Sequence, residues 1–496
     1  MSVSVSLCSR VVLRVSFFFI CEIISQKHKL KTQLQFSKII SLWSGLLLIS
    51  TMAALSTTSF DISLDGKREM LDAALATSYL SSIDSLNLTH IKLSNKSFGN
   101  EAVEILAPKL LEMKQLQVAD LSDIIAGRMT DIGLNVLTKI SEALSQCPTL
   151  TEVDLSENAL GPRGISACRP LLASVESLKR LTFNNDGLSA EAMNEIRDLL
   201  LFRGPDTSTV LDKLHFWNNM SGDGGGAAIA SVVLLSPELS DFRLSSTRCG
   251  SEGGAVLVQA LSTRSTLQHV DLSDNTFGGG VAPFLRTLIS NNLKLITLNL
   301  SDLSIENEGV TAVLECLATT GKRNTLQILD LSFNGVVEGH EVLKHFPAMI
   351  SNCPELHTFG FEENEIGSRG ALRIARGMSK SINLINLNLK MCDIQDTGAL
   401  AIGKVYSNRS VLGKLELNGN MFSTTVMEEM TTIFTKNECG DLGSFSDNDE
   451  DGAGDAEEGD GVWNEDVAEE EVDVAVGSDS SDVAALSNQI SGMKVV

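Results

Sequence analysis

One phrase returns along this chain about every 28 residues: two apolar residues separated by one position, a short polar turn, then another apolar residue and often glycine. It reads Val153-Asp-Leu155-Ser-Glu-Asn158-Ala-Leu160-Gly161, comes back as Val270-Asp-Leu272-Ser-Asp-Asn275-Thr-Phe277-Gly278, and again as Leu415-Glu-Leu417-Asn-Gly-Asn420-Met-Phe422. The second apolar position falls at Leu93, Leu121, Leu155, Phe183, Phe216, Leu244, Leu272, Leu300, Leu331, Phe361, Leu389 and Leu417. Of the eleven gaps seven are 28 residues, and the others are 34, 33, 31 and 30, so twelve units are legible. Alternate strand residues share a face, so Val153 and Leu155 point the same way. The residues after each turn read as helix: Ser251–Leu261 places Ala255, Leu257 or Val258, and Leu261 along one stripe. A unit this small cannot bury its apolar face alone, and neighbours must stack into a curved solenoid with strands inside and helices outside.

This is the leucine-rich repeat pattern, and its length of about 28 favours the α/β, ribonuclease-inhibitor-like kind with full outer helices. The chain has 496 residues, 43% of them hydrophobic and only 5% aromatic, which suits a continuous core of stacked Leu, Val and Ile. The expected organisation is an atypical segment at 1–51, an N-terminal cap at 52–85, repeats over 86–440 and an acidic, disordered tail over 441–496. Residues 441–482 hold 17 Asp and Glu and no Lys or Arg, and so carry most of the formal net charge of −24. Such a block reads as an interaction or solubility tail. Nucleic acid is disfavoured as a ligand, because phosphate binding needs a basic surface. Residues 1–51 contain one acid and six Lys or Arg, with apolar stretches at Val15–Ile24 and Ile39–Ile49. Neither reaches the ~20 residues of a membrane-spanning helix. A targeting segment and sequence upstream of a start at Met52 both remain open. Nine scattered cysteines without CxxC or Cys/His spacing read as reduced and structural.

The recurring turn asparagines (Asn158, Asn219, Asn275, Asn334, Asn364, Asn420) are expected to satisfy backbone groups between coils. No P-loop, GxSxG or HExxH motif occurs, and the seven histidines have no metal spacing, so a self-contained active site is not expected. Function is therefore sought where the repeats break their own pattern. The stretch Asp120-Leu-Ser-Asp123-Ile-Ile-Ala-Gly127-Arg128 precedes the 34-residue gap, and a Gly-Arg pair at a loop tip would put an extended cation on the rim. Phe183-Asn184-Asn185-Asp186-Gly187 continues polar residues past a strand end toward the same rim. An insertion, Phe202-Arg-Gly-Pro-Asp-Thr-Ser-Thr209, follows.

These departures resemble the Ran GTPase-activating proteins, in their plant-like form. The resemblance rests on Leu93-Ser-Asn-Lys-Ser-Phe98-Gly99, Asp120–Arg128, Leu155–Gly161, Phe216-Trp-Asn-Asn-Met-Ser-Gly-Asp223, Asp241–Gly254 and Leu417–Asn420, and it covers roughly 60–440 with the acidic tail. It implies an activator of GTP hydrolysis by Ran, supporting nucleocytoplasmic transport. Arg128 matches the family's loop arginine, and Asn185 the asparagine placed near the GTPase's catalytic glutamine. Asp123, Asn158 and Asn219 join them as expected partner-binding positions. The implied partner is Ran in its GTP-bound form. No cofactor or metal of the chain's own is implied, because GTP and Mg belong to the GTPase. A monomer in the cytoplasm, with a perinuclear position as the alternative and without direct membrane insertion, is expected. Plant members begin with a Trp-Pro-Pro domain for the nuclear envelope, and this chain has no proline before Pro108, so anchoring there is not implied. The competing expectation is a non-catalytic leucine-rich adaptor or inhibitor whose acidic tail binds basic partners.

Overall fold

The computed structural model describes residues 58–449 apart from 84, 202–207, 338, 382, 408–412 and 439. The insertion at 202–209 lies almost wholly outside these residues, as do the 1–51 segment and the tail from 450. Among the described residues a 14-stranded parallel sheet runs in chain order, each strand pairing with the one before and after it. The register joins equivalent positions, with Val153 opposite Leu181, Leu181 opposite Leu214, and Leu214 opposite Phe242. Most strands span three residues, whereas Arg180–Asn184, Lys213–Trp217 and Asp241–Ser245 span five.

The apolar pair of each phrase faces the helices. Val153, Leu155, Leu298 and Leu300 are all at most 1% exposed. Burying each such side chain contributes about 1.5–3 kcal/mol. Where phenylalanine replaces leucine the rings stack, Phe183 on Phe216 with centroids 5.1 Å apart. The helix Ser251–Ser262 buries Leu257, Val258 and Leu261, with Ala255 partly covered, as its periodicity requires. Helices need roughly 8–10 Å between axes and strands under 5 Å, which is why such a stack bends toward its strand side.

Two strands of this sheet lie beyond the twelve legible phrases, and Glu69–Leu71 pairs with Lys96–Phe98 in a separate two-stranded sheet. Ser59–Asp61 pairs ahead of the first repeat and Gly440–Leu442 after the last. The second of these extends the repeats past residue 440: Phe445 packs edge-on against Phe422, and Asn448 Oδ1 accepts the Asn420 N–H at 3.0 Å. The described cysteines are free and buried. Among the described residues no helix is long and apolar enough to cross a membrane.

Candidate functional site

Each coil leaves its strand through two successive residues with different duties. The residue two places after the second apolar position adopts left-handed backbone: Asp123, Glu157, Asn185, Asn218, Ser246, Asp274 and Asp302 all have φ between 52 and 64°. That turn aims each N–H at the next coil, as in Asp123 N to Ser156 O (2.9 Å) and Asn185 N to Trp217 O (3.1 Å). Asn and Asp tolerate this conformation better than most residues. The side chains of these positions form the rim.

The following residue points inward and builds a ladder. Asn158 is 2% exposed, its Oδ1 accepting Ile124 N–H (2.9 Å) and its Nδ2 donating to Leu121 O (2.9 Å) and Leu155 O (2.7 Å). Asn219, also 2% exposed, accepts the Asp186 and Leu188 N–H groups and donates to Phe183 O and Trp217 O. Both amides are saturated by buried backbone, and the exposed neighbours on the rim are Glu157 and Asn218. The one-residue difference between rim and ladder was available from the spacing, since Asn185 occupies the rim position and Asp186 the ladder position.

Arg128 also differs from its expectation as an extended cation. Gly127, at φ 73°, turns the chain, and the guanidinium folds back onto the preceding coils. Its Nη2 donates to Leu71 O (3.0 Å) and Ser97 O (2.5 Å), and its Nε donates to Ser97 Oγ (3.0 Å). Gly99 makes room for it: a Cβ there would stand 3.2 Å from Arg128 Nη1. Burial lowers the arginine's pKa from its usual value, but a guanidinium remains charged. Arg128 is a clamp on the strand Glu69–Leu71.

Asn185 is exposed, and Nδ2 donates to Glu157 Oε2 at 2.7 Å while Glu157 Oε1 receives the Asn184 amide at 2.8 Å. Asp123 is 7% exposed and is ion-paired with Arg68. A groove of about 660 Å³ brings these pieces together, with Arg68, Gly127, Arg128, Glu157, Arg163 and Asn185 in its lining. A second groove of about 550 Å³ begins at Asn185 and runs along the rim past Asn218, Arg248, Asp274 and Asp302. Arg68 and Glu157 were missed by the sequence reading. Glu157 could have been found from the rim spacing; Arg68 precedes the first repeat and carries no periodic signal.

Beneath the rim, Asp186 takes a ladder position with an acid instead of an amide. It is fully buried, Oδ1 accepts Asn158 N–H at 2.9 Å, and Oδ2 has no partner. Burial holds its carboxyl well above the usual range, Asp154 and Glu157 push the same way, and the Asn158 bond opposes them. Among the described residues no group of three His, Cys, Asp or Glu could hold a metal ion.

The family model for Leucine Rich repeat matches residues 146–167 and 380–403. The chain is 26% identical to Ran GTPase-activating protein 1 of Saccharomyces cerevisiae over 301 residues, 58% of this chain and 74% of that protein. It is 40% identical to RAN GTPase-activating protein 2 of Arabidopsis thaliana over 127 residues, 25% of this chain and only 23% of that protein. Mouse ribonuclease inhibitor aligns at 25% identity over 55% of this chain and 59% of the inhibitor. The chain folds as a ribonuclease-inhibitor-like leucine-rich repeat solenoid, and it is similar to the Ran GTPase-activating proteins of yeast and Arabidopsis.

Proposed function

We propose that this chain is a GTPase-activating protein for Ran, docking the GTP-bound form on the rim between Arg68 and Asp302. The observation that carries this most strongly is Asn185. Its left-handed backbone puts the amide on an exposed rim, and Glu157 holds the Nδ2 end. Its Oδ1, which accepts no bond among the described residues, is left to receive an N–H from the GTPase's catalytic glutamine. Exposed Met129, 77% accessible beside the groove, suits a protein partner rather than a small anion.

The chemistry fits that division of labour. GTP hydrolysis needs a placed water and stabilised charge on the transferring phosphoryl group. An activator that fixes the partner's glutamine contributes preorganisation, with no nucleophile, base, metal or cofactor of its own. Arg128 acts through the groove it braces, because its guanidinium is committed to the Leu71 and Ser97 carbonyls. The protein acts as a monomer in the cytoplasm in this reading.

Single-turnover hydrolysis of GTP by Ran is the test. Residues 52–496 should accelerate it by about a thousandfold or more. Arg128→Ala should lose most of that acceleration while the unfolding midpoint falls only modestly. No acceleration by the unsubstituted chain would overturn the proposal.

A further inference from the structure

The segment before the first repeat is held more firmly than a cap needs. Lys96 stands in a ladder position yet turns away from the ladder, and its side chain is fully buried. Its Nζ donates to Asp65 Oδ1 (2.8 Å), Lys67 O (2.8 Å) and Glu69 Oε2 (3.0 Å), and lies 4.9 Å from the centre of the Tyr79 ring. Burial alone would lower its pKa, but the bonds to Asp65 and Glu69 raise it, so the ammonium stays charged. A buried charge is costly unless every partner is in place. Here the partners are the turn 65–69 itself. Arg128 grips the other end of the same segment at Leu71 O.

Between these two anchors sits Arg68. Its side chain is 64% exposed, pairs with Asp123 across the groove wall, and lies close enough to Glu157 for that carboxylate to help raise its pKa after the Asp123 bond. Arg68 lines the groove that Asn185 also lines, and three arginines (68, 128, 163) face one glutamate there. The acids that pair with two of them, Asp123 and Asp131, lie outside the lining, so the groove wall itself presents more cationic than anionic side chains in a chain of net charge −24. Of the three, Arg128 is committed to carbonyls, and Arg68 and Arg163 each pair with one acid, Asp123 and Asp131; only Arg68 sits on a segment anchored at both ends.

We propose that Arg68 is a docking residue of this groove, meeting a carboxylate on the surface of the partner GTPase, and that Lys96 and Arg128 are the positioning residues that hold its segment. The assignment rests on the activator reading above. Arg68 sets how tightly the partner docks, whereas Asn185 sets how fast the docked partner reacts.

The experiment measures single-turnover hydrolysis by Ran against activator concentration, at low and physiological salt, for the unsubstituted chain, Arg68→Ala and Arg68→Lys. Arg68→Ala should raise the half-saturating concentration roughly tenfold and leave the saturated rate within about twofold. It should also flatten the salt dependence of half-saturation, which a purely structural role for the Arg68–Asp123 pair would not do. Arg68→Lys should recover part of the loss. An unchanged half-saturating concentration overturns the assignment, and so does a fall in saturated rate alone, which would place Arg68 in the chemical step. If the unsubstituted chain gives no acceleration, the activator reading falls and takes Arg68 with it; if it accelerates and Arg68→Ala matches it, only the Arg68 assignment falls.

Discussion

The coils around Asn334 and Asn364 and the coils around Lys96, Ile124 and Asp186 use the same turn in opposite ways. Asn364 accepts the Asn334 and Val336 N–H groups at 3.3 and 3.2 Å and donates to Leu331 O and Phe361 O at 3.1 Å each, so side chain and backbone form one continuous ladder. In the first four coils only Asn158 is an asparagine at that position; Lys96 turns to Asp65 and Glu69, Ile124 has no polar atom, and Asp186 leaves one oxygen unpaired. Thr247, Leu303 and Cys392 are single interruptions in an otherwise regular later ladder. The concentration of departures in the N-terminal coils coincides with the groove. There, side-chain networks (Arg128 on carbonyls, Arg68 with Asp123, Glu157 with the Asn184 and Asn185 amides) do what the ladder does elsewhere. The comparison teaches that ladder positions hold the fold and that the rim beside a weakened ladder is where binding groups are set.

Substitutions on either side of this divide should behave differently. Asn364→Ala leaves several buried backbone groups unpaired and should lower unfolding stability by about 3 kcal/mol, measured by denaturant titration, with GTPase activation unchanged below the unfolding midpoint. Gly99→Ala should do the reverse. The added Cβ, 3.2 Å from Arg128 Nη1 and 3.4 Å from Leu71 O, displaces the clamp, so activation should drop about fivefold, equivalent to about 1 kcal/mol, with a smaller change in stability. A loss of stability with intact activation would break the distinction.

The effect expected at Asp186 is on stability and appears only as pH changes. Its folded carboxyl titrates well above 3.8, so between that value and its folded pKa the native state binds more protons than the unfolded chain, and stability falls as pH rises. Asp186→Asn restores the amide of a regular ladder and removes that titration. The variant should gain steadily on the unsubstituted protein as pH is raised from 4 to 8. A constant difference across that range would mean that Asp186 is ionised throughout.

The repeat period made the solenoid, its parallel register and its buried Leu and Val pairs legible, because a 28-residue recurrence constrains every coil at once. Of the two outer strands, Ser59–Asp61 carries the opening of the phrase in Phe60-Asp61-Ile62-Ser63 and was passed over, whereas Gly440–Leu442 lacks it and is specified by pairing with its neighbour. At the site, sequence located the loop and the strand end. Rim and ladder were not separated at Asn158 and Asn219, although their position three residues after the second apolar residue, against two for Asn185, carries that distinction. Sequence also did not show that Arg128 folds inward, because the accepting carbonyls of Leu71 and Ser97 lie far from it along the chain.

The account stands most directly on Asn185. Single-turnover GTP hydrolysis by Ran should be measured at saturating concentrations of the unsubstituted chain and of Asn185→Ala, alongside their unfolding midpoints. The account predicts that the variant loses about a hundredfold of the acceleration with its midpoint essentially unchanged. Acceleration within twofold of the unsubstituted chain would contradict it.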